Sequence, residues 1–279
     1  MTYYPTSQSI PQTTHLLQHL IGPRPICFVS TIDKKGYVNL SPFSFFNLFS
    51  LNPPIVIFSP SRRVRDNTVK HTLLNVLEVP EAVINMVTYD MVQQVSLASS
   101  EYEKEVDEFI KSGFTKENAT HVKPPMVKES KARFECKVLE VKSLGESGGA
   151  GQLVICEVIC VHINDELLDK DRKLNQQAIA LVGRLGGDWY THVSPTSLFK
   201  VAKPNAKNGI GFDALPESIR YSKILTGNHL AQLANVHELS IVENDGHKNP
   251  ADEIEKIHQR AKELLEEGHV MQAWQLLLK

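Results

Sequence analysis

Residues 39–63, NLSPFSFFNLFSLNPPIVIFSPSRR, carry the information that decides the fold. Pro53 and Pro54 cannot lie inside a helix or a central strand, so the chain breaks there. Residues 55–58 (IVIF) form a continuous β-branched and aromatic run, which predicts a strand buried on both faces. Ser59, Pro60, Ser61, Arg62 and Arg63 follow directly, and a helical pattern starts at Asp66, a good N-cap. Hydroxyls and guanidinium groups at a strand-to-helix junction suit a phosphate, because free N–H groups of a helix start point there too. Upstream, Ser41, Ser44 and Asn47 alternate with Phe43, Phe45, Phe46 and Phe49 in an aromatic-rich turn. That mixture suits a flat heterocycle with polar edges.

Around this stretch the chain reads as strands with helices inserted between them. Residues 26–32 and 37–40 form two strands around a turn at 33–36, where Gly36 supplies a left-handed position. A helix from Asp66 to about residue 76 puts Val69, Leu73, Leu74 and Leu77 on one face. A strand at 81–88 precedes helices at 89–98 and 101–111. Residues 132–141 alternate as a half-exposed strand, residues 145–151 (GESGGAG) form a flexible turn, and residues 152–163 pair back as a long strand. Residues 174–181 fit a strand or a short helix. Some six strands with inserted helices predict an antiparallel barrel in a mainly β, α+β protein. Residues 1–14 read as a polar arm, with a short helix at 15–21.

After residue 193 the character changes. Residues 194–211 are rich in Ser, Pro, Asn, Lys and Gly and form a connector. Helices are expected at 215–224 and 227–234. Residues 244–249 form a loop from which Asn249 caps a helix with Pro250 at its first position. That helix and one at 270–278 make a helical hairpin. We therefore divide the chain into a barrel domain, 1–200, and a helical extension, 201–279, that is no separate catalytic domain.

The bulk properties exclude several classes. The 279 residues carry 30 Lys and Arg against 32 Asp and Glu, which gives no sign of a nucleic-acid partner. No apolar run reaches the ~20 residues of a membrane span, and the start has no signal-peptide pattern, so a cytoplasmic location is expected. Cys27, Cys136, Cys156 and Cys160 form no C-x-x-C pair. Cys156 and Cys160 fall on one strand face, and core thiols explain all four better than a zinc site, for which too few ligands stand nearby. His15 and His19 have metal-ligand spacing but no acidic companion, so no metal is expected. Phosphate-loop, dinucleotide-fold and nucleophile-elbow motifs do not occur.

The run from Ser41 to Ile57, SPFSFFNLFSLNPPIVI, resembles the flavin reductase-like, FMN-binding split-barrel family. The resemblance extends to Gly22-Pro23-Arg24-Pro25 and to residues 183–190, GRLGGDWY, covering roughly residues 15–200. It implies a six-stranded Greek-key split barrel, a homodimer, non-covalent FMN (FAD in some relatives) and hydride transfer from NADH or NADPH to the flavin. On the residues, Ser41, Phe43, Ser44, Phe45 and Asn47 are candidates for the ring. Ser59, Ser61, Arg62 and Arg63, helped by Ser30, Thr31 and Thr68, are candidates for the phosphate. Arg184 and Tyr190 in the glycine-rich segment complete the set. Two adjacent arginines favour a monophosphate, hence FMN. A redox carrier or sensor without turnover, or a cofactor-less assembly module, would also fit the chain.

Overall fold

The structure is a computed structural model that describes residues 2–204, 207–238 and 251–278. It divides into two compact units, Met1–Leu198 and Phe199–Lys279. The first unit opens with helix α1 (Ile10–Leu20), capped by Ser9 in a capping box with Gln12. The helix thus occupies part of the expected arm. Strands β1 (Arg24–Pro25), β2 (Cys27–Ile32), β3 (Val38–Phe43), β4 (Phe46–Leu51) and β5 (Pro54–Phe58) follow, then helix α2 (His71–Glu78) and β6 (Glu81–Met86). Helices α3 (Val92–Leu97) and α4 (Glu108–Ser112) precede the short strands β7 (Lys116–Glu117) and β8 (Met126–Val127). The long strands β9 (Ala132–Ser143) and β10 (Gln152–Ile163) form a hairpin, and β11 (Val182–Arg184) and β12 (Tyr190–His192) close the unit.

The main sheet is antiparallel, with strand order β3-β2-β6-β9-β10-β5-β4. Seven strands therefore stand where six were expected, because the aromatic segment 46–51 is a strand and not a turn. Its edges, β3 and β4, are consecutive in the chain, and no ladder joins them among the described residues. The barrel is split between them. Strand alternation sends Cys27, Val29, Phe43, Val56, Phe58, Ile84, Cys136, Val154 and Cys156 to the inner face, where Leu73 and Val76 of α2 plug the core. Phe28 and Leu40 face outward instead and pack under Val95 of α3 and Phe109 of α4.

Several expectations are corrected. Strand β5 buries only Val56 and Phe58, because Ile55 and Ile57 lie on its partly exposed face. Asp66 caps no helix. It makes a turn by accepting from the Thr68 amide and hydroxyl, 3.0 and 2.6 Å away, and α2 starts five residues later. The acidic stretch 101–111 is helical only from Glu108. Residues 174–181 form no strand or helix, only single bridges at Leu174 and Leu181. Cys160 does not share a face with Cys156. A register shift between Val158 and Cys160 makes Ile159 an extra residue and sets Cys160 opposite Glu135, on the outer face.

The second unit is helical: α5 (Glu217–Arg220), α6 (Gly227–Ala234), α7 (Ala251–Glu266) and α8 (Val270–Leu277). Leu230, Leu233, Ala261, Leu265 and Trp274 form its core, and the buried Trp274 indole donates to the Leu233 carbonyl at 3.0 Å. The loop at 244–249 and the cap at Asn249 and Pro250 lie outside the described residues.

Candidate functional site

The Ser/Arg loop after β5 is built against the glycine turn of the β9–β10 hairpin. The Arg62 amide donates to the Ala150 carbonyl at 2.9 Å, and the Gly149 amide donates back to the Arg62 carbonyl at 2.9 Å. The turn must be nearly bare to come this close. A Cβ on Gly148 would meet backbone atoms of Arg63 and Val64 at 3.0 Å, and one on Gly151 would meet Ser59 Oγ at 2.8 Å. The Ser59 amide donates to the Phe45 carbonyl at 2.8 Å, which joins the loop to the β3–β4 corner. Ser41, Ser44, Ser59 and Ser61 keep hydroxyls with no hydrogen-bond partner among the described residues.

The two arginines are largely engaged within their own loop. Arg62 donates from Nε and Nη2 to the side chain and carbonyl of Asn67, at 2.8 and 2.9 Å. Arg63 donates to Glu101, to the Thr68 hydroxyl and to the Val69 carbonyl, at 2.8–2.9 Å. Each keeps one terminal nitrogen, Nη1 of Arg62 and Nη2 of Arg63, with no partner among the described residues. The Thr68 hydroxyl is consumed by Asp66 and Arg63, so it is no free donor. Its bonds, with help from Arg65, hold the Asp66 carboxyl down at about 2.

Sequence reasoning missed Lys70 and His71, which begin α2 beside Arg63. Burial lowers the pKa of both, and the Arg63 charge lowers it further; Lys104 adds to the effect on His71. Like charges are thus held together at the first turn of α2, where Lys70 makes no side-chain cap. The signal available in the sequence was a further Lys-His pair seven residues after Arg63.

The remaining candidates divide. Ser30 and Thr31 point to opposite faces of β2 and are fully buried. The Ser30 hydroxyl donates to the Pro125 carbonyl, and the Thr31 hydroxyl accepts from Asn75 of α2 at 3.1 Å. Neither reaches the Ser/Arg loop, which corrects their place in the set. Phe43 is an inner core residue, its ring 5.3 Å from that of Phe58, and not an open shelf. Phe45 is exposed and lines a cleft of about 510 Å³ with α1, Arg24, Gly148 and Gly149. Arg24 lies in that cleft with its Nε buried and unpartnered, while its other nitrogens hold the carbonyls of Gln18, Ile21 and Leu185. Asn47 is exposed on β4, its side chain turned to the next amide.

Arg184 and Tyr190 form a second corner. The guanidinium lies 4.4 Å from the centre of the Tyr190 ring, on paired strands β11 and β12. They line a polar cleft of about 580 Å³ with Asp188, His192 and Tyr89, the last two rings stacked at 4.3 Å. This cleft shares no lining residue with the first. Gly186 is required here, since a Cβ would fall 2.3 Å from the His19 ring.

Comparison with known proteins matches this geometry to a described family. A sequence profile described as "Flavin reductase like domain" matches residues 21–178. An uncharacterized protein of Aquifex aeolicus is 38% identical over 175 residues, 63% of this chain and 87% of that one. Component B of nitrilotriacetate monooxygenase from Bacillus cereus is 26% identical with a TM-score of 0.67, covering 72% of this chain and 98% of that one. A split-barrel domain protein from Shewanella frigidimarina is also 26% identical, with a TM-score of 0.60 over 73% of this chain and 98% of that one. The chain belongs to the flavin reductase-like family, and its first unit is a split barrel of that kind.

Proposed function

We propose that the protein is a flavin-binding oxidoreductase that uses NAD(P)H, with FMN as the preferred flavin and FAD as the alternative. The observation that carries this reading is the crowding of Arg63, Lys70 and His71 at the end of a loop whose Ser59 and Ser61 hydroxyls have no partner among the described residues. A phosphomonoester brings a charge of about −1.5 to −2 near neutrality, which would relieve that crowding. The donor set therefore fits the phosphate end of FMN. The free nitrogens of Arg62 and Arg63 and the Lys70 ammonium would hold it, with Ser59 and Ser61 as hydroxyl donors. Ser41, Ser44, Phe45 and Asn47 on the adjoining corner would meet the ring. A bound flavin supplies the ability to accept a hydride from reduced nicotinamide, and the protein's part is binding and orientation. Arg184 and Tyr190, in the separate polar cleft, would offer a guanidinium and a phenol to a polar part of either cofactor.

A second copy of the chain belongs to the same reading. Leu48, Phe49 and Leu51 are exposed along β4, an unpaired sheet edge that a homodimer would cover. The name "component B" of the Bacillus cereus relative fits a protein that serves a second component. The test is the visible spectrum of the purified protein, followed by anaerobic addition of NADH. Flavin absorbance that bleaches on addition is expected. A protein that stays colourless after soaking with FMN and gel filtration would overturn the reading.

A further inference from the structure

Three side chains with metal-binding chemistry meet on the outer face of the β9–β10 hairpin, apart from both clefts. His162 Nε2 lies 2.6 Å from Glu135 Oε1 and 3.5 Å from Cys160 Sγ, and all three ligand atoms fall within 4.8 Å of one another. The backbone dictates the meeting. Cys160 and His162 are two apart on one strand, so they share a face. The bulge at Ile159 turns that face toward Glu135, which pairs with Cys160 across the ladder. Without the extra residue Cys160 would continue the inner-face series of Val154, Cys156 and Val158.

Glu135 is fully buried, yet three backbone amides fix its carboxylate. Thr120 donates to Oε1 at 2.8 Å, and His121 and Val122 donate to Oε2 at 2.5 and 3.1 Å. Burial alone would raise its pKa, but the Thr120 and His121 amides and His162 outweigh it and hold the carboxyl below its ordinary range. Outer donors of this kind orient a ligand before the ion arrives. Cys160 and His162 are only partly buried, which leaves a path from solvent.

We infer that Glu135, Cys160 and His162 form a binding site for a divalent cation of the zinc class, with a fourth position open to solvent. One sulfur, one imidazole nitrogen and one carboxylate oxygen are a zinc-type donor set. Tetrahedral zinc with bonds of roughly 2.0–2.3 Å spaces its ligand atoms about 3.3–3.6 Å apart. The Cys160–His162 edge already has this length, 3.5 Å. The His162–Glu135 edge is a hydrogen bond, and it opens when the cation takes the place of its proton. On binding, the Cys160 thiol proton leaves to solvent. His162 keeps one proton, on Nδ1, and turns the Nε2 lone pair to the ion. The site ties residues 120–122 to the barrel and takes no part in the flavin reading.

The full-length protein, loaded with zinc and freed of excess by gel filtration, should keep one zinc per chain by atomic emission. X-ray absorption should show a single sulfur neighbour at about 2.3 Å with nitrogen and oxygen neighbours at about 2.0–2.1 Å. Cys160→Ser and His162→Gln should each lose more than the roughly 10–100-fold in zinc affinity that an outer-shell partner costs. Flavin content and the melting temperature of the zinc-free Cys160→Ser protein should stay unchanged, which separates lost coordination from lost folding. No retained zinc, zinc without a sulfur neighbour, or wild-type affinity in Cys160→Ser would each overturn the inference.

Discussion

The β9–β10 hairpin has two ends, and they gather opposite charge. At the turn, Gly148 and Gly151 let the backbone approach the Ser/Arg loop, and Arg63, Lys70 and His71 crowd together there. At the open end a buried carboxylate, Glu135, collects three amides and an imidazole, and the Cys160 thiol lies against that imidazole. The first end has an excess of cations and gains from an anion. The second is built around an anion and gains from a cation. Two twelve-residue strands thus serve two chemistries, and what differs is how each end satisfies its polar groups. The turn end does so through backbone bonds and through arginine bonds within its own loop, and leaves Lys70 and one terminal nitrogen of each arginine without a partner among the described residues. The open end spends its central side chain on the fold.

Removing that side chain should have the largest effect on the molecule. Glu135→Ala leaves the amides of Thr120, His121 and Val122 and the His162 ring without their acceptor. Breaking a buried charged partnership costs about 3–5 kcal/mol. The midpoint of urea unfolding should fall accordingly, and Glu135→Gln, which keeps one carbonyl oxygen, should lose less. A loss below about 1 kcal/mol would mean that water replaces the carboxylate, and the contrast between the two ends would then fail.

Smaller and more selective is the effect expected at the turn end. Lys70→Gln removes one charge from the crowd, and Lys70 has no side-chain partner among the described residues. Its loss should weaken FMN binding about tenfold, about 1.4 kcal/mol, while riboflavin binding stays as it was. Arg63→Ala is a less clean probe, since Arg63 also holds Glu101, Thr68 and Val69. Equal losses for both ligands would remove Lys70 from the phosphate site. Melting curves, compared between the two variants, should show that Glu135→Ala unfolds far earlier than Lys70→Gln.

These two ends were not equally legible in the sequence. Strand β10 has the bounds that periodicity gives, because its apolar run is long and closed by a glycine cluster and an Asn-Asp turn. The Ser/Arg loop announced itself because Pro-Pro and a buried strand precede it. The edge strand β4 did not, since one hydroxyl or amide among every two aromatics looks the same in a turn as on a half-exposed strand. Helix α2 starts five residues beyond Asp66, because Asp66 can cap a helix or close a turn, and only Arg65 and Thr68 around it decide for the turn. The Glu135–Cys160–His162 cluster was invisible for a different reason. A bulge of one residue reverses which face Cys160 occupies, and no residue type in that apolar run marks it. Thr31 suits the phosphate only as a hydroxyl near a strand end, and residue type does not show that its strand turns it toward Asn75 of α2.

The glycines of the turn allow a finer test of the same contrast. A Cβ at Gly148 meets three backbone atoms of the Ser/Arg loop at 3.0 Å, and backbone cannot rotate away. Gly148→Ala should therefore cost about 1 kcal/mol by the overpacking it forces, read as a lower melting temperature. It should weaken FMN binding as well, since the loop must move. Gly151→Ala meets side-chain atoms alone, the tip of Ser59, which can turn aside, and Leu144 at an ordinary contact of 3.4 Å, so its cost should be smaller. If both variants cost the same, the close backbone approach is not what holds the loop.

The smallest effect should be seen in the pH dependence of that loop. Asp66 is exposed, yet its carboxyl titrates at about 2, because the Thr68 hydroxyl and amide and Arg65 favour the ionised form. Its folded value lies below the ordinary value of about 3.9, so its contribution is fully present above that value. It fades as pH falls toward about 2, when protonation takes the acceptor from Thr68. Thr68 is also the residue that Arg63 grips, so loosening the Asp66 turn frees a guanidinium at the phosphate end. The Thr68 amide signal, followed by NMR between pH 5 and pH 2, should therefore shift with a midpoint near 2. In Asp66→Asn that shift should vanish, because an amide carbonyl keeps an acceptor but has no proton to gain. A midpoint near the ordinary aspartate value would mean that the turn is open in solution. The arginines would then owe their placement to Glu101, Asn67 and the Val69 carbonyl.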